Sequence, residues 1–285
     1  MQTSLDHLNQ ALSLYDPKER ASLTLQFGHE PKMATLCIRA WVLWLLGYPE
    51  QALASGREAL RVARVAGETH FYSLAYGLVW VTTVHQFCRN LPEVQRLTEE
   101  NCRLCETHNF QYPLAKAQSH RGWAMALSGQ VNEGIEQIQA GIARLESTQG
   151  RWEKPYFMGL LAEAYARGGR LEEGLRVLEA AILLTEETTE QFWLAELLRW
   201  QGELWLLQGN KQTAELCYKQ ALETARQQQA KSLELRAAVS LSRLWQTEGK
   251  SKEVRQTLSL ILNWFTEGFD SVDFSEGLAL LNSLR

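Results

Sequence analysis

Leu161-Ala162-Glu163-Ala164-Tyr165-Ala166-Arg167-Gly168-Gly169-Arg170-Leu171-Glu172-Glu173-Gly174 reads as the end of one helix-period apolar stretch, a glycine turn and the start of another. The small residue Ala162 stands seven positions before Gly169, Gly174 five after it and Ala181 twelve after it. The same break recurs at Leu46-Gly47-Tyr48, Ser128-Gly129-Gln130, Gln208-Gly209-Asn210 and Glu248-Gly249-Lys250. The glycines at 129, 169, 209 and 249 are evenly spaced, and Arg89 stands as far before Gly129 as Gly169 stands after it. The interval from Gly47 to Arg89 is longer by two positions. Such regularity over six repeats marks a protein built by stacking one helix-turn-helix motif.

The small residues return in register: Ala40, Ala52 and Ala59 in the first repeat, Gly122, Gly134 and Gly141 in the third, Gly202, Ala214 and Ala221 in the fifth. Close approach of two antiparallel helices requires them, since an extra methylene there costs on the order of 1–3 kcal/mol. The second repeat (Thr82, Val94, Asn101) and the sixth (Ser242, Val254, Ile261) depart from the pattern, which predicts looser or differently tilted packing. Large apolar residues such as Trp41, Leu43 and Leu46, or Leu241, Leu244 and Trp245, supply the inward stripes. Asn132 with Glu133, and Ser251 with Lys252-Glu253, are read as openings of second helices.

Composition narrows the functional classes. With 45% hydrophobic and 22% charged residues the chain can bury a core throughout, which excludes a disordered segment. The net charge of -4 comes from interspersed acids and bases, so no basic stripe exists to neutralise phosphates, and nucleic acid is not an expected ligand. The longest apolar run, Ala40 to Leu46, is too short to span a bilayer, and the start Met1-Gln2-Thr3-Ser4-Leu5-Asp6 lacks the features of a signal peptide. Together with five scattered cysteines (37, 88, 102, 105, 217), this places the chain in the cytoplasm with free thiols and no membrane partner.

Catalytic devices are missing from the sequence. No phosphate loop, dinucleotide turn or nucleophile elbow occurs. His29-Glu30 starts like a zinc-protease motif, but Met33 stands where the second histidine belongs. Cys102-Arg103-Leu104-Cys105 has no companion pair, and the six histidines (7, 29, 70, 85, 108, 120) are scattered along the chain with no nucleophile and base pair among them. We therefore expect no enzyme activity, no metal and no cofactor. Trp41, Trp44, Trp80, Trp123, Trp193, Trp200, Trp205 and Trp245 are assigned to first helices, mostly as core bridging adjacent repeats.

This order of large apolar residue, small residue, glycine turn and two further small residues resembles the tetratricopeptide repeat, and it covers 33 to 269. The period is stretched here to about 40 residues, from the usual 34 of that repeat. The resemblance implies an all-α, right-handed solenoid of about six helix pairs: a partial repeat and link over 1–31, six pairs over 32–269 and a capping helix over 270–285. More narrowly, Leu45-Leu46-Gly47-Tyr48-Pro49-Glu50-Gln51-Ala52-Leu53, Leu161-Ala162-Glu163-Ala164-Tyr165 and Trp264-Phe265-Thr266-Glu267-Gly268-Phe269-Asp270 are similar to the C-terminal repeat region of large bacterial signalling proteins. In that family a class III adenylate or guanylate cyclase domain, or another effector, precedes an AAA/STAND-type ATPase and then the repeats.

At the N-terminus Leu5, Leu8 and Leu12 form a stripe like that of a second helix whose first helix is missing. At the other end, Phe274, Leu278 and Leu281 are expected on one side of a capping helix, with Glu276, Asn282 and Arg285 elsewhere. The resemblance also implies a groove lined by exposed residues of the first helices. Carried over repeat by repeat, those positions are Lys116 and Trp123, then Tyr156, Glu163 and Arg167, then Glu196, Arg199 and Glu203, then Arg236 and Arg243. The expected guest is a protein segment, extended or helical, carrying acidic side chains for the arginines. Set against this is an ordinary solvated face, in which a pair such as Glu196 and Arg199 contributes a few tenths of a kcal/mol. Two other roles fit the same sequence: a regulatory or sensory arm of an upstream cyclase or ATPase, and a sensor holding a small molecule in the groove.

Overall fold

The computed structural model describes residues 1–148 and 152–284. Its helices are α1 (Gln2–Leu14), α2 (Arg20–Phe27), α3 (Pro31–Leu45), α4 (Pro49–Gly67), α5 (Phe71–Phe87), α6 (Leu91–His108), α7 (Gln111–Leu127), α8 (Val131–Ser147), α9 (Lys154–Arg167), α10 (Leu171–Thr188), α11 (Leu194–Leu207), α12 (Lys211–Gln227), α13 (Lys231–Thr247), α14 (Ser251–Leu262) and α15 (Val272–Asn282). No strand occurs among the described residues. The six helix pairs are α3/α4 through α13/α14, in the register of the sequence.

The turns form where glycine makes a left-handed residue inexpensive. Gly47, Gly129, Gly169, Gly209 and Gly249 have φ between 71° and 95°, and Arg89 adopts φ 54° in the same place. The amide after each glycine closes the preceding helix, as when Asn210 N donates to Trp205 O at 2.9 Å. A second left-handed position ends the second helices at Asn109, Thr189 and Gln229, with φ 55–58°. It follows the period of the repeat but carries no glycine, so the sequence gives no sign of it. The second helices begin with the residue after the turn as cap: Asn90 accepts from Glu93 N and Asn210 from Thr213 N. The expected openings shift accordingly, α8 starting at Val131 before Asn132, and α14 taking Lys250 as its cap without a side-chain bond.

The chain divides into two compact units, Met1–Ala124 with Glu136–Gly150, and Met125–Ile135 with Arg151–Arg285. In the first, α3 packs on α4 and α5, α4 on α5 and α5 on α6. In the second, α9, α11 and α13 contact one another in succession and each contacts its own partner helix. Every small residue singled out from the sequence is buried, the alanines completely. The residues that depart from the pattern in the second and sixth repeats, Thr82, Val94, Asn101, Ser242, Val254 and Ile261, are buried as well. Asn101 donates from its amide to Ala75 O at 3.2 Å and Thr82 donates to Leu78 O at 2.7 Å, so these two buried polar side chains are hydrogen-bonded.

Tryptophan fills the space between repeats. Trp41 meets Trp80 edge-on with centroids 4.8 Å apart, and Trp44 lies 4.7 Å from Phe87. Trp193, assigned to a first helix, sits in a 3-10 turn just ahead of α11. All five cysteines are free thiols.

At the N-terminus α1 packs on α3 with Leu5 buried, and the stretch read as a link contains α2, closed by Gly28 at φ 73°. At the other end, Phe274, Gly277 and Leu280 are the buried residues of α15. Leu278, expected inward, is 41% exposed, because the helix begins at Val272 and presents the 274/277/280 face. Arg285 lies outside the described residues.

Candidate partner-binding face

The residues selected from the sequence recur at one register of the first helices: Lys116, Tyr156, Glu196 and Arg236 at one position, Trp123, Glu163, Glu203 and Arg243 two turns on. Helical spacing of two turns places the two positions on one face of each helix. The expectation that these side chains are exposed is corrected for six of the ten residues, since Lys116, Trp123, Tyr156, Glu196, Arg199 and Arg236 are all buried. Glu163 and Glu203 are half-buried, and Arg167 and Arg243 are exposed.

In the second unit the buried members form an ionic network. Glu196 Oε1 accepts from Arg199 Nη2 at 2.8 Å and from Arg236 Nη1 at 3.2 Å, while Arg236 Nε donates to Asp273 Oδ2 at 2.9 Å. Glu203 Oε1 accepts from Arg199 Nη1 at 3.2 Å and from the Ser240 hydroxyl at 2.7 Å. This is not the solvated face weighed against the groove. Burial opposes the charge of Arg199, but Glu196 and Glu203 outweigh it and hold the guanidinium more firmly protonated than usual. For Arg236 burial is likewise overcome by Asp273 and Glu196.

Outside this ionic floor the same unit carries accessible charge. Arg243 pairs with Glu276 at 2.9 Å and Arg167 with Glu163 at 3.9 Å, with the two arginines about half exposed (51% and 47%). Tyr156 stacks on Trp193 at 4.5 Å, and burial, then the Glu153 carboxylate, pushes its phenol well above the ordinary range.

In the first unit the same register is aromatic. The Lys116 ammonium lies 4.4 Å from the Trp80 ring centroid and 5.4 Å from that of Tyr112, and Tyr76 on α5 is 5.8 Å from Trp80. One turn along α7, His120 is buried, its Nδ1 2.9 Å from Lys116 O and its Nε2 3.3 Å from the Thr83 hydroxyl. Burial, then the Lys116 charge, pushes the imidazole down to about 3. Its unfolded value is near 6.5, so between these limits the unfolded chain binds a proton that the folded chain refuses. Stability is therefore complete above about pH 6.5 and falls as the pH drops toward 3. Urea unfolding should show a loss of roughly 3 kcal/mol between pH 7 and 4.5 from this group, and His120→Gln should flatten that slope. An unchanged slope in the variant would mean that His120 is not held neutral.

Among the described residues no three histidine, cysteine or acidic side chains are placed to share a metal ion, and no helix is long and apolar enough to cross a membrane. Sequence reasoning missed Asp273, Glu276, Ser240 and the tyrosines of α5. Glu276 could have been found by extending the period once more, because it stands one full repeat after Arg236, whereas Asp273 falls off that period.

Helix pairs stacked within each unit, with buried small residues and left-handed turns, define an α-solenoid of the tetratricopeptide type. Solved structures share the fold. One is a signal transduction ATPase with numerous domains (STAND) carrying a tetratricopeptide repeat sensor, from Pyrococcus horikoshii, with TM-score 0.53, 11% identity, and 89% of this chain and 38% of that one covered. Another is the apo form of the quorum sensor NprR from B. thuringiensis, with TM-score 0.58, 14% identity, and 100% of this chain and 80% of that one covered. At these identities the likeness is one of fold. No family model matches the chain. In sequence it is 29% identical over 245 residues to an uncharacterized protein of Rhizobium meliloti (strain 1021), a match that covers 84% of this chain. The chain spans only 23% of that relative's length.

Proposed function

We propose that the protein is a non-catalytic interaction module that binds a protein segment along the exposed edge of its first helices. The observation that carries this reading is the face of the second unit, where a buried ionic floor of Glu196, Arg199 and Arg236 is accompanied by half-exposed Arg167, paired with Glu163, and Arg243, paired with Glu276. Arginines already drawn to a neighbouring carboxylate present their guanidiniums at reduced ordering cost, and arginine pairs with carboxylate in a bidentate geometry. Arg199 and Arg236 act through this floor, so they position the site and are unsuitable for testing contact with a partner.

The test is selection of a displayed random peptide library on the immobilised protein. Enriched peptides should be rich in acidic residues, bind less tightly as salt rises, and lose at least tenfold in affinity on combined Arg167→Glu and Arg243→Glu substitution with the thermal midpoint kept. Failure to enrich any peptide, or binding indifferent to both changes, would overturn the proposal.

A second reading is favoured by the lengths. The chain spans about a quarter of its Rhizobium relative, and a similar solenoid forms part of a STAND ATPase. In this reading the solenoid is the regulatory or sensory arm of a larger signalling protein, with ATPase or cyclase domains upstream and a peptide or small molecule as its signal. Reading the coding sequence upstream of Met1 separates the cases: an open frame encoding such a domain supports the arm, and a stop codon supports a free-standing adaptor.

A further inference from the structure

The first unit carries an aromatic surface that the ionic face of the second does not explain. Tyr72 and Tyr76 lie one turn apart on α5, centroids 6.3 Å apart, both half-buried. His29 stacks on Tyr76 at 5.0 Å, Phe110 meets Tyr72 edge-on at 5.2 Å, and half-buried Tyr112 comes from α7. Beneath them is Lys116, 1% exposed, its ammonium against Trp80 and Tyr112.

Two buried charges of opposite sign lie near these rings, Glu30 acting on His29 and Lys116 on Tyr72 and Tyr76. Glu30 is completely buried, and its carboxylate accepts from the Tyr15 hydroxyl at 2.7 Å and from Met33 N. Lys32 is drawn to Glu58 at 3.7 Å, and His70 caps α5 by accepting from Ser73 N. His120 and Cys37 are buried, burial keeping the first neutral and raising the thiol of the second. The positive charge of Lys116 is felt at the ring surface, where it opposes the burial-driven rise of both Tyr72 and Tyr76. A buried charge is weakly screened, so its field reaches the rings at more nearly full strength than that of a solvated lysine. Tyrosine offers wide contact area and a hydroxyl at low ordering cost.

We propose that this face, formed by Tyr72, Tyr76, Tyr112 and His29 over Lys116, is a binding subsite for a peptide segment in which a carboxylate neighbours an aromatic or large apolar side chain. The apolar side chain lies on the tyrosine rings, and the carboxylate is drawn by the Lys116 charge and bonded by the phenol hydroxyls. The assignment rests on the reading of the protein as a segment-binding module and names the chemistry of the segment.

The test uses the full chain and three short fluorescent peptides of equal length: one alternating Asp and Phe, one alternating Asn and Phe, and one alternating Asp and Ala. The Asp/Phe peptide should bind at least tenfold more tightly than either other. Tyr76→Ala with Tyr112→Ala should lose at least tenfold of that affinity. Lys116→Met, if circular dichroism shows it folded, should abolish the preference for Asp over Asn. Equal binding of the Asp/Phe and Asn/Phe peptides, or binding untouched by the tyrosine changes, would overturn the assignment. If library peptides bind through Arg167 and Arg243 while these probes ignore the tyrosines, the module stands and this subsite falls. If neither surface binds any peptide, both readings fall.

Discussion

Replacing Arg236 by methionine should destabilise the protein by about 3–5 kcal/mol, although the substitution is close in length and more apolar than the residue it removes. The guanidinium is 7% exposed and lies between Glu196 at 4% and Asp273 at 12%. Without it, two carboxylates stay in a region that water barely enters, and Glu196 is left with one fewer cation beside it. An exposed pair of the same residues would contribute well under 1 kcal/mol, so the magnitude distinguishes a buried network from a solvated face. Urea unfolding followed by circular dichroism measures it, and adding Asp273→Asn to Arg236→Met should recover part of the loss. A cost below about 1 kcal/mol for Arg236→Met would show that water reaches the network and that the face is not preorganised.

Gly141→Ala is the other change with a large expected effect. A Cβ at this position of α8 would stand 2.6 Å from the Ala115 carbonyl oxygen and 3.0 Å from Ser119 N, and would meet the Ser119 hydroxyl oxygen closer still. Two of these atoms belong to the α7 backbone, which cannot turn aside as a side chain can, so the helices must separate. A loss of about 3 kcal/mol is expected, the upper end for overpacking. Gly56→Ala in α4 is the control, because its nearest neighbour is a Val81 methyl at 3.5 Å, an ordinary contact. There the gain in helix propensity should leave the protein as stable as before or up to about 1 kcal/mol more so. Equal effects at the two sites, read as thermal midpoints, would refute the repeat register.

These two cases mark where the sequence was informative. Gly141 was identified by its place in the repeat, because close helix approach restricts residue size at a fixed register and leaves a periodic trace. Glu196, Arg199 and Arg236 were found by the same register and then given the wrong environment. Lys, Glu and Arg are normally exposed, and only the neighbouring helices determine whether a charge at such a position meets water or a counter-ion. Asp273 joins Arg236, and Ser240 joins Glu203, from nearly a whole repeat away, a separation over which spacing alone specifies no contact.

The amino-acid sequence by itself determined the helix-turn-helix unit, its period, its six copies and the small residues on which the helices meet. All are local or strictly periodic properties of the chain: left-handed turns need glycine or pay for its absence, and stacked identical motifs repeat their steric limits. Tertiary structure alone decided that Thr82, Asn101 and Ser242 are buried as fully as the alanines and that α15 supplies acids to the arginines of α13. It also decided that one register of the first helices is aromatic over a buried ammonium in the first unit and ionic in the second. Those outcomes depend on partners brought together by stacking, and the free energy of a buried charge is set by what surrounds it rather than by its own identity.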